Sequence, residues 1–335
     1  VAPPLVSVLL PVRDGAATLA DCLGSLAAQT LGDHEVVAVD DGSRDGTRAL
    51  LEQAARRDAR VRVLATAARG IAPALNSALA AARAPLLARM DADDIAHPDR
   101  LRVQSRRLEL DPSTDVLGCR VRLFGGGGNA GMAAYVDWLN ALTDHEAIVR
   151  DLFVESPLAH PSVMMRADAL RALGGYREFD GPEDYDLWLR AHRRGLRFAK
   201  EHAVLLDWRD GEGRLTRRDP RYGSTRFQAV KLEALLAGAL RAPRPVVIWG
   251  AGPIGKSWAR ALRGRGRAVA AFVEVDARKL GRVLQGAPVL PVAQAASPRG
   301  ALHLAAVGQR GARERIRAAA AELGLREGDD LVAVA

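Results

Sequence analysis

Apolar and polar positions alternate between two periods along the first half of the chain. Val6-Ser7-Val8-Leu9-Leu10 is a short apolar strand, halted by Pro11 and the turn signal Asp14-Gly15. Leu19, Cys22, Leu23 and Leu26 recur at helical spacing and predict an amphipathic helix to about Gln29. Glu35 to Val39 returns as a strand, runs into the polar loop Asp40-Asp41-Gly42-Ser43-Arg44-Asp45-Gly46-Thr47, and a helix follows to about Asp58. Val61 to Leu64 is the next strand, Ile71 to Ala82 the next helix, and the mostly apolar run from Leu86 to Met90 reads as a fourth, buried strand. Strict alternation of strand and helix predicts an α/β fold whose mostly parallel sheet carries helices on both faces.

The fourth strand delivers Asp91, Asp93 and Asp94 in quick succession. In an extended chain alternate side chains share a face, so Asp91 and Asp93 are expected to point the same way. Like charges that close repel unless a proton or a cation lies between them, and hard oxygen ligands suit Mg²⁺ or Mn²⁺. The structural alternative is a polar turn whose Asp caps a helix beginning near Pro98. Right-handed crossovers put this loop and Asp40-Asp41 on one sheet edge, where open α/β sheets bind their ligands. Two acidic loops there suit a nucleotide: one carboxylate for base or ribose, others for a metal on its phosphates.

Further on, Leu117 to Phe124 reads as a strand, the run from Gly125 through Gly128 to Asn129 as a flexible loop, and Tyr135 to Leu142 and Glu146 to Phe153 as helices. A turn from Glu155 through His160-Pro161-Ser162 leads into an apolar strand. A helix over Ala167 to Leu173 is closed by Gly174-Gly175. Pro182 then sits near the first turn of another helix that carries Glu183 and Asp184. There the two carboxylates favour the helix macrodipole, or they hold a general base at the helix start.

The chain has 335 residues, enough for two domains with their own cores. Its net charge of +8 is almost wholly arginine, since Lys200, Lys231, Lys256 and Lys279 are its only lysines. Arginine pairs well with phosphate, so an anionic substrate or membrane surface is in keeping with it, although genome composition produces the same bias. No nucleic-acid recognition motif accompanies the charge, and nucleic acid is not an expected partner. Cys22 and Cys119 suggest neither a disulfide nor a thiolate metal site. No apolar run approaches the roughly 20 residues of a spanning helix, nor does a signal-peptide pattern appear. The expected location is cytoplasmic, with peripheral contact at the inner face of the membrane left open.

Four motifs, in order, resemble the family 2 glycosyltransferases: Leu10-Pro11-Val12-Arg13-Asp14-Gly15; Val39-Asp40-Asp41-Gly42-Ser43; Asp91-Ala92-Asp93-Asp94 with Pro98-Asp99-Arg100-Leu101; and Gly181-Pro182-Glu183-Asp184. The resemblance covers about residues 5–210. It implies a GT-A nucleotide-diphospho-sugar transferase fold and an inverting, metal-dependent transfer of a sugar from a nucleotide-diphosphate sugar, UDP-linked by expectation, to an acceptor hydroxyl. The products belong to polysaccharide or glycoconjugate biosynthesis, and the acceptor is a saccharide, lipid-linked or other hydroxyl compound. By the same resemblance Pro11 and Asp41 line the nucleoside pocket, Asp91 and Asp93 fill the D-x-D positions with Asp93 the foremost metal ligand, Asp91 also lies near ribose and diphosphate, Asp184 is the base, and Glu183 orients it. His160 falls where relatives carry a polar residue near donor or acceptor, and a structural histidine is the equal alternative. Arg13 departs from the pattern, standing where many relatives have an aromatic beside the base. Processive-synthase features, a Gln-x-x-Arg-Trp motif and membrane helices, do not appear, which fits a single transfer. Arg209, Arg217 or Arg218 would help the departing diphosphate from a late mobile loop, unless they are simply a solvated basic face.

The remaining chain is a second module. Residues 220–243 read as a helical bridge ending at Ala242-Pro243-Arg244-Pro245, so the expected domains are 1–219, a linker over 220–243, and 244–335. Val246 to Trp249 leads into Gly250-Ala251-Gly252-Pro253-Ile254-Gly255 and a helix. Glu274 ends the next strand, about 20 residues past the glycines as a dinucleotide fingerprint asks. Strand-like Leu302 to Val307, a helix over Ala312 to Leu323, and Leu331 to Val334 complete a small Rossmann-like α/β domain. Gly250, Gly252, Gly255 and Glu274 are thus a candidate second nucleotide site, for NAD(P) or another nucleotide, with redox chemistry disfavoured because no catalytic constellation follows. The glycines equally serve tight turning and close packing. Two other readings of the whole stand beside the transferase: an inactive nucleotide-sugar-binding scaffold, and a sugar-1-phosphate nucleotidyltransferase, against which the absence of a Gly-rich basic loop near residues 11–15 counts.

Overall fold

The computed structural model of the chain describes residues 2–126, 130–211 and 219–335. They form two compact units, one of residues 1–148 and 157–222 and one of 149–156 and 223–335. Gly127, Gly128 and Asn129 of the glycine-rich loop, and the arginines Arg217 and Arg218, lie outside the described residues.

The first unit is built on an eight-stranded mixed sheet in the order β3-β2-β1-β4-β7-β6-β8-β5. Its elements are β1 Val6–Val12, α1 Leu19–Ala27, β2 His34–Asp40, α2 Thr47–Arg57, β3 Val61–Ala65, α3 Ile71–Ala81, β4 Leu86–Arg89, β5 Ile95–Ala96, α4 Arg100–Leu110, β6 Val116–Phe124, α5 Ala130–Ala141, α6 His145–Asp151, β7 Met164–Arg166, α7 Ala167–Ala172, α8 Glu183–Arg193 and β8 Phe198–Arg209. Every residue of β1, β2 and β4 is buried, as covered parallel strands require. In α1 the buried positions are Leu19, Cys22 and Leu26, the predicted stripe.

Strands β1, β2, β3 and β4 pair in parallel. The direction then changes: β7 is antiparallel to both β4 and β6, whereas β8 is parallel to β6 and antiparallel to β5. At the opposite edge from the acidic loops, Glu35 ties three elements. Its carboxylate accepts from Ser7 Oγ at 2.7 Å, Arg83 N at 2.9 Å and Arg62 Nη1 at 2.9 Å.

The long strand β8 is unannounced by the sequence pattern. Its register against β6 shifts at Cys119 and Arg120, which breaks the alternation, and it buries Lys200, whose Nζ donates to the carbonyls of Leu139 and Pro157. Burial pulls the Lys200 ammonium down to about 7.

The second unit has a six-stranded sheet, β11-β12-β10-β9-β13-β14, parallel except at β11–β12. Its strands are β9 Val246–Trp249, β10 Val269–Val273, β11 Val283–Leu284, β12 Ala287–Leu290, β13 Leu302–Ala305 and β14 Leu331–Ala333. Its helices are α9 Ser224–Ala237, α10 Pro253–Gly264 and α11 Ala312–Glu322. Helix α9, within the stretch read as a bridge, gives Leu232 and Leu235 to a core with Ile248, Trp258, Phe272 and Leu304. Lys231 of α9 is buried and its Nζ donates to Val154 O at 2.7 Å.

Candidate active site

The carboxyl ends of β1, β2 and β4 share one edge, because Val12 pairs with Asp40 and Leu9 with Arg89 in parallel register. The first two motifs are knitted together there: Asp14 N donates to Ser43 Oγ at 3.0 Å, Arg44 N to Asp14 Oδ1 at 2.7 Å, and Gly15 N to Thr47 Oγ1 at 2.9 Å. Gly42 takes φ +70°, and a Cβ there would lie 2.9 Å from Ala68 N, so the turn demands glycine. Asp41 is nearly inaccessible, at 3% exposure. Its Oδ1 accepts from Thr66 Oγ1 at 2.7 Å and Arg69 N at 2.8 Å, and its Oδ2 from Gly70 N at 2.8 Å. Arg13, half-exposed, brings Nη1 to 3.9 Å from Asp41 Oδ2. Pro11 is a buried residue of β1 opposite Val39.

The acidic stretch differs from its expected shape. Strand β4 stops at Arg89, so strand alternation does not reach the aspartates. They lie on a turn, with Asp94 N donating to Asp91 O at 3.3 Å, and Asp91, Asp93 and Asp94 each offer a carboxylate oxygen within 4.8 Å of the others. The helix-capping alternative also fails in detail: α4 starts at Arg100, and Asp99 makes no side-chain cap but accepts from Thr30 Oγ1 at 2.8 Å.

The turn's carbonyls are pinned one by one from other elements. Cys22 Sγ donates to Asp91 O at 3.3 Å, Thr18 Oγ1 to Ala92 O at 3.0 Å, and Arg209 Nε to Asp93 O at 2.7 Å. Arg209 is the last residue of β8, not part of a mobile loop, and its guanidinium stacks 4.4 Å above the Phe124 ring. Fully buried Arg89 donates from Nη2 to Asp91 Oδ1 at 2.7 Å, while fully buried Arg100 holds the end of β4 through Nη2 to Arg89 O at 2.7 Å. Three carboxylates with all-oxygen donor sets, on a turn fixed by its own carbonyls, fit a hard divalent cation.

Across this site, Glu183 and Asp184 occupy the first turn of α8. Asp184 is half-buried, and its Oδ1 accepts from Tyr185 N at 2.7 Å. Glu183 is 4% exposed; its Oε2 accepts from Tyr222 Oη at 2.6 Å and its Oε1 lies 3.9 Å from His160 Nδ1. Burial pushes the Glu183 carboxyl up, against the Tyr222 hydrogen bond and the Arg89 charge. His160 is buried with Nε2 3.0 Å from Tyr176 Oη, so the structural reading of this histidine has its partner; burial and then Arg89 hold it well below the ordinary histidine range, hence neutral. Tyr222 ends a 3-10 turn over Pro220–Tyr222, and Arg221 beside it reaches within 3.9 Å of a Cβ built on Gly70.

Sequence reasoning missed Thr18, Cys22, Arg89 and Tyr222. Only Arg89 had a local signal, being a charge inside an otherwise apolar strand.

In the second unit, Gly250 takes φ +108° and donates its N–H to Val273 O at 2.8 Å; a Cβ on Gly255 would strike Gly250 O, while one on Gly252 meets nothing within 4 Å. Glu274 is engaged by the protein itself, accepting from Ala251 N at 3.2 Å, Val275 N at 2.9 Å and Lys279 Nζ at 2.8 Å. Burial works against that carboxylate, but these donors hold it below its ordinary range.

The eight-stranded sheet with its acidic turn is a GT-A fold, shared with solved transferases. S. aureus TarS 1–349 in complex with UDP superposes with a TM-score of 0.54 at 19% identity, over 69% of this chain and 65% of that one, so the chain spans just under two thirds of the TarS fragment. The mannosyltransferase PcManGT from Pyrobaculum calidifontis, in complex with GDP-Man and Mn²⁺, gives a TM-score of 0.51 at 21% identity, over 78% of this chain and 69% of that one. The family model described as glycosyl transferase family 2 matches residues 7–174. EpsE of Bacillus subtilis, named as a glycosyltransferase, is 30% identical over 224 residues, 65% of this chain and 78% of EpsE. The amylovoran biosynthesis glycosyltransferase AmsE of Erwinia amylovora is 30% identical over 217 residues, 64% of this chain and 79% of AmsE. The chain belongs to the family 2 glycosyltransferases.

Proposed function

We propose that the chain is an inverting glycosyltransferase that moves one sugar from a nucleotide-diphosphate sugar, UDP-linked, to a hydroxyl of a saccharide acceptor. The observation that carries the reading is a chain of contacts within one unit: Arg89 donates to Asp91 and bears on Glu183, while Arg221, beside the Tyr222 that holds Glu183, reaches Gly70, whose N–H donates to Asp41. Asp41, oriented by three donors, keeps lone-pair capacity for a base N–H, and Pro11 and Arg13 flank it. TarS is solved with UDP and PcManGT with GDP-Man and Mn²⁺, and Arg13 beside Asp41 is where the choice of base is made.

Asp91, Asp93 and Asp94 would hold a divalent ion, Mn²⁺ or Mg²⁺. When bound, that ion supplies charge neutralisation at the departing diphosphate. Arg209, fixed by Asp93 O and Phe124, adds positive charge at the same turn. Asp184 takes the proton of the acceptor hydroxyl as that oxygen attacks the anomeric carbon opposite the leaving group, and Glu183 orients it. AmsE, named for amylovoran biosynthesis, favours a saccharide acceptor.

The test is a thermal-shift screen of UDP-, GDP- and dTDP-sugars with and without Mn²⁺, since a ligand of the folded state raises the melting temperature. A UDP-sugar that stabilises the protein only with Mn²⁺ supports the reading. No shift with any nucleotide sugar removes it.

A further inference from the structure

Tyr222 lies beyond the residues 7–174 that the family model matches and beyond the four motifs, yet its hydroxyl meets the carboxylate of Glu183 at 2.6 Å. That is at the short end for O–H···O and is the length of a hydrogen bond to an ionised acceptor. We propose that Tyr222 is a positioning residue of the transfer site, fixing the Glu183 carboxylate through its phenolic hydroxyl. The proposal rests on the reading of Glu183 and Asp184 as the catalytic pair.

Glu183 needs such a donor because it is buried at the start of α8, where a carboxylate without hydrogen bonds is costly. The groups that face it come from several elements. His160 Nδ1 stands at 3.9 Å from the 3-10 turn His160–Ser162. Arg89 and Asp91 bear on it from the end of β4, with opposite sign. Among the described residues, Tyr176, Arg221 and, on its own helix, Asp184 also bear on it. His160 is neutral, its Nε2 shares a hydrogen bond with Tyr176 Oη at 3.0 Å, and its Nδ1 stands too far from Glu183 for a hydrogen bond. The firm contact is therefore from Tyr222. Its phenol stays protonated, because burial and the charges of Glu183 and Asp184 raise its pKa. With Glu183 fixed, the first turn of α8 presents Asp184 in one orientation.

The test compares Tyr222→Phe with wild type in the full chain. The ring is kept, so a packing role alone predicts no change. Because burial holds the folded pKa of Glu183 above its unfolded value, this group's stability contribution falls as pH rises through that folded pKa. Loss of the hydroxyl deepens the fall, so the melting-temperature gap between the two proteins widens as pH rises through the titration of Glu183, and the widening vanishes in a Glu183→Gln background. In UDP-release assays kcat falls and the acid limb of kcat/KM moves to higher pH, because Asp184 is no longer held by a fixed Glu183, while donor KM holds. A gap independent of pH, with superimposable rate profiles, overturns the proposal. Full turnover by Asp184→Asn beside a pH-dependent melting gap would discard the catalytic reading and keep the contact.

Discussion

Asp94 accepts the main-chain N–H of Arg209 at 2.8 Å, so the most buried carboxylate of the acidic turn also ties that turn to the end of β8. The three aspartates are therefore not equivalent. Asp93→Asn is expected to abolish Mn²⁺-dependent donor binding with little change in melting temperature. Asp94→Asn weakens both, costing about 1–3 kcal/mol of stability for a damaged hydrogen bond to a charged group. Calorimetric Mn²⁺ titration alongside thermal melts separates the two. Wild-type Mn²⁺ affinity in Asp93→Asn would take that residue out of the metal site.

Asp184→Asn is expected to lower turnover by roughly 10²–10⁴, the range of lost acid–base catalysis, while donor affinity survives. Single-turnover UDP release with a competent acceptor, beside a donor titration, reads the two quantities. Unchanged turnover assigns the proton transfer elsewhere.

Glu35 gives the first unit a distinct acid sensitivity. Burial works to raise its pKa, but Ser7, the Arg83 backbone and guanidinium, and Arg62 bring it down from 4.5 to about 2. A depressed folded pKa means stability that is fully present above the unfolded value and is lost as pH falls from about 4.5 toward about 2. Glu35→Gln is expected to cost on the order of 3 kcal/mol at neutral pH and less as the solution is acidified into that window. Urea melts at pH 7 and pH 3 provide the check, and an equal loss at both would contradict the assignment.

The glycines of the second unit separate packing from binding. Gly250 and Gly255 have no room for a side chain: one Cβ would lie 2.5 Å from Val307 Cγ2, the other against Gly250 O. Gly255→Ala is expected to destabilise the 223–335 unit by several kcal/mol, within the range of severe overpacking (~1–3 kcal/mol or more). Gly252 opens onto free space, so Gly252→Ala leaves the fold intact and obstructs only a phosphate approaching the loop. Calorimetry of the full chain with NAD(H), NADP(H) and UDP-sugars, repeated on Gly252→Ala, measures this. A nucleotide heat lost in the variant, with melting unchanged, marks a real site there, and none with any nucleotide marks a packing motif.

Much of the parallel half was legible because its strands are largely apolar and its loops end in motif residues: β1, β2 and β4 follow from Val6-Ser7-Val8, Val36-Val37 and Leu86-Leu87. The other half was harder. Strand β8 mixes Lys200, Glu201 and Asp207 with apolar residues across an irregular register, so no period marks it, and Arg209 reads as a loop or solvated residue from sequence alone. The pairing of Asp91 with Asp93 by strand alternation failed because alternation ends where β4 ends, at Arg89. Cys22 and Thr18 looked like ordinary helix-side residues, since what they bind is a main-chain carbonyl about 70 residues away, which leaves no trace in side-chain chemistry. Tyr222 is invisible for a different reason: its partner is the Glu183 carboxylate, 39 residues earlier on another element, and no local pattern links the two.

The reversal of strand direction at β4 and β7 has an architectural outcome. On one side, β1 to β4 form a self-contained parallel block whose pairings involve nothing after residue 89 except β7 at its margin. On the other side, segments between the strands can lengthen or shorten without changing the register of that block. A lineage built on this sheet is thereby free to vary one half of the molecule while the parallel half, with its acidic edge, keeps its geometry.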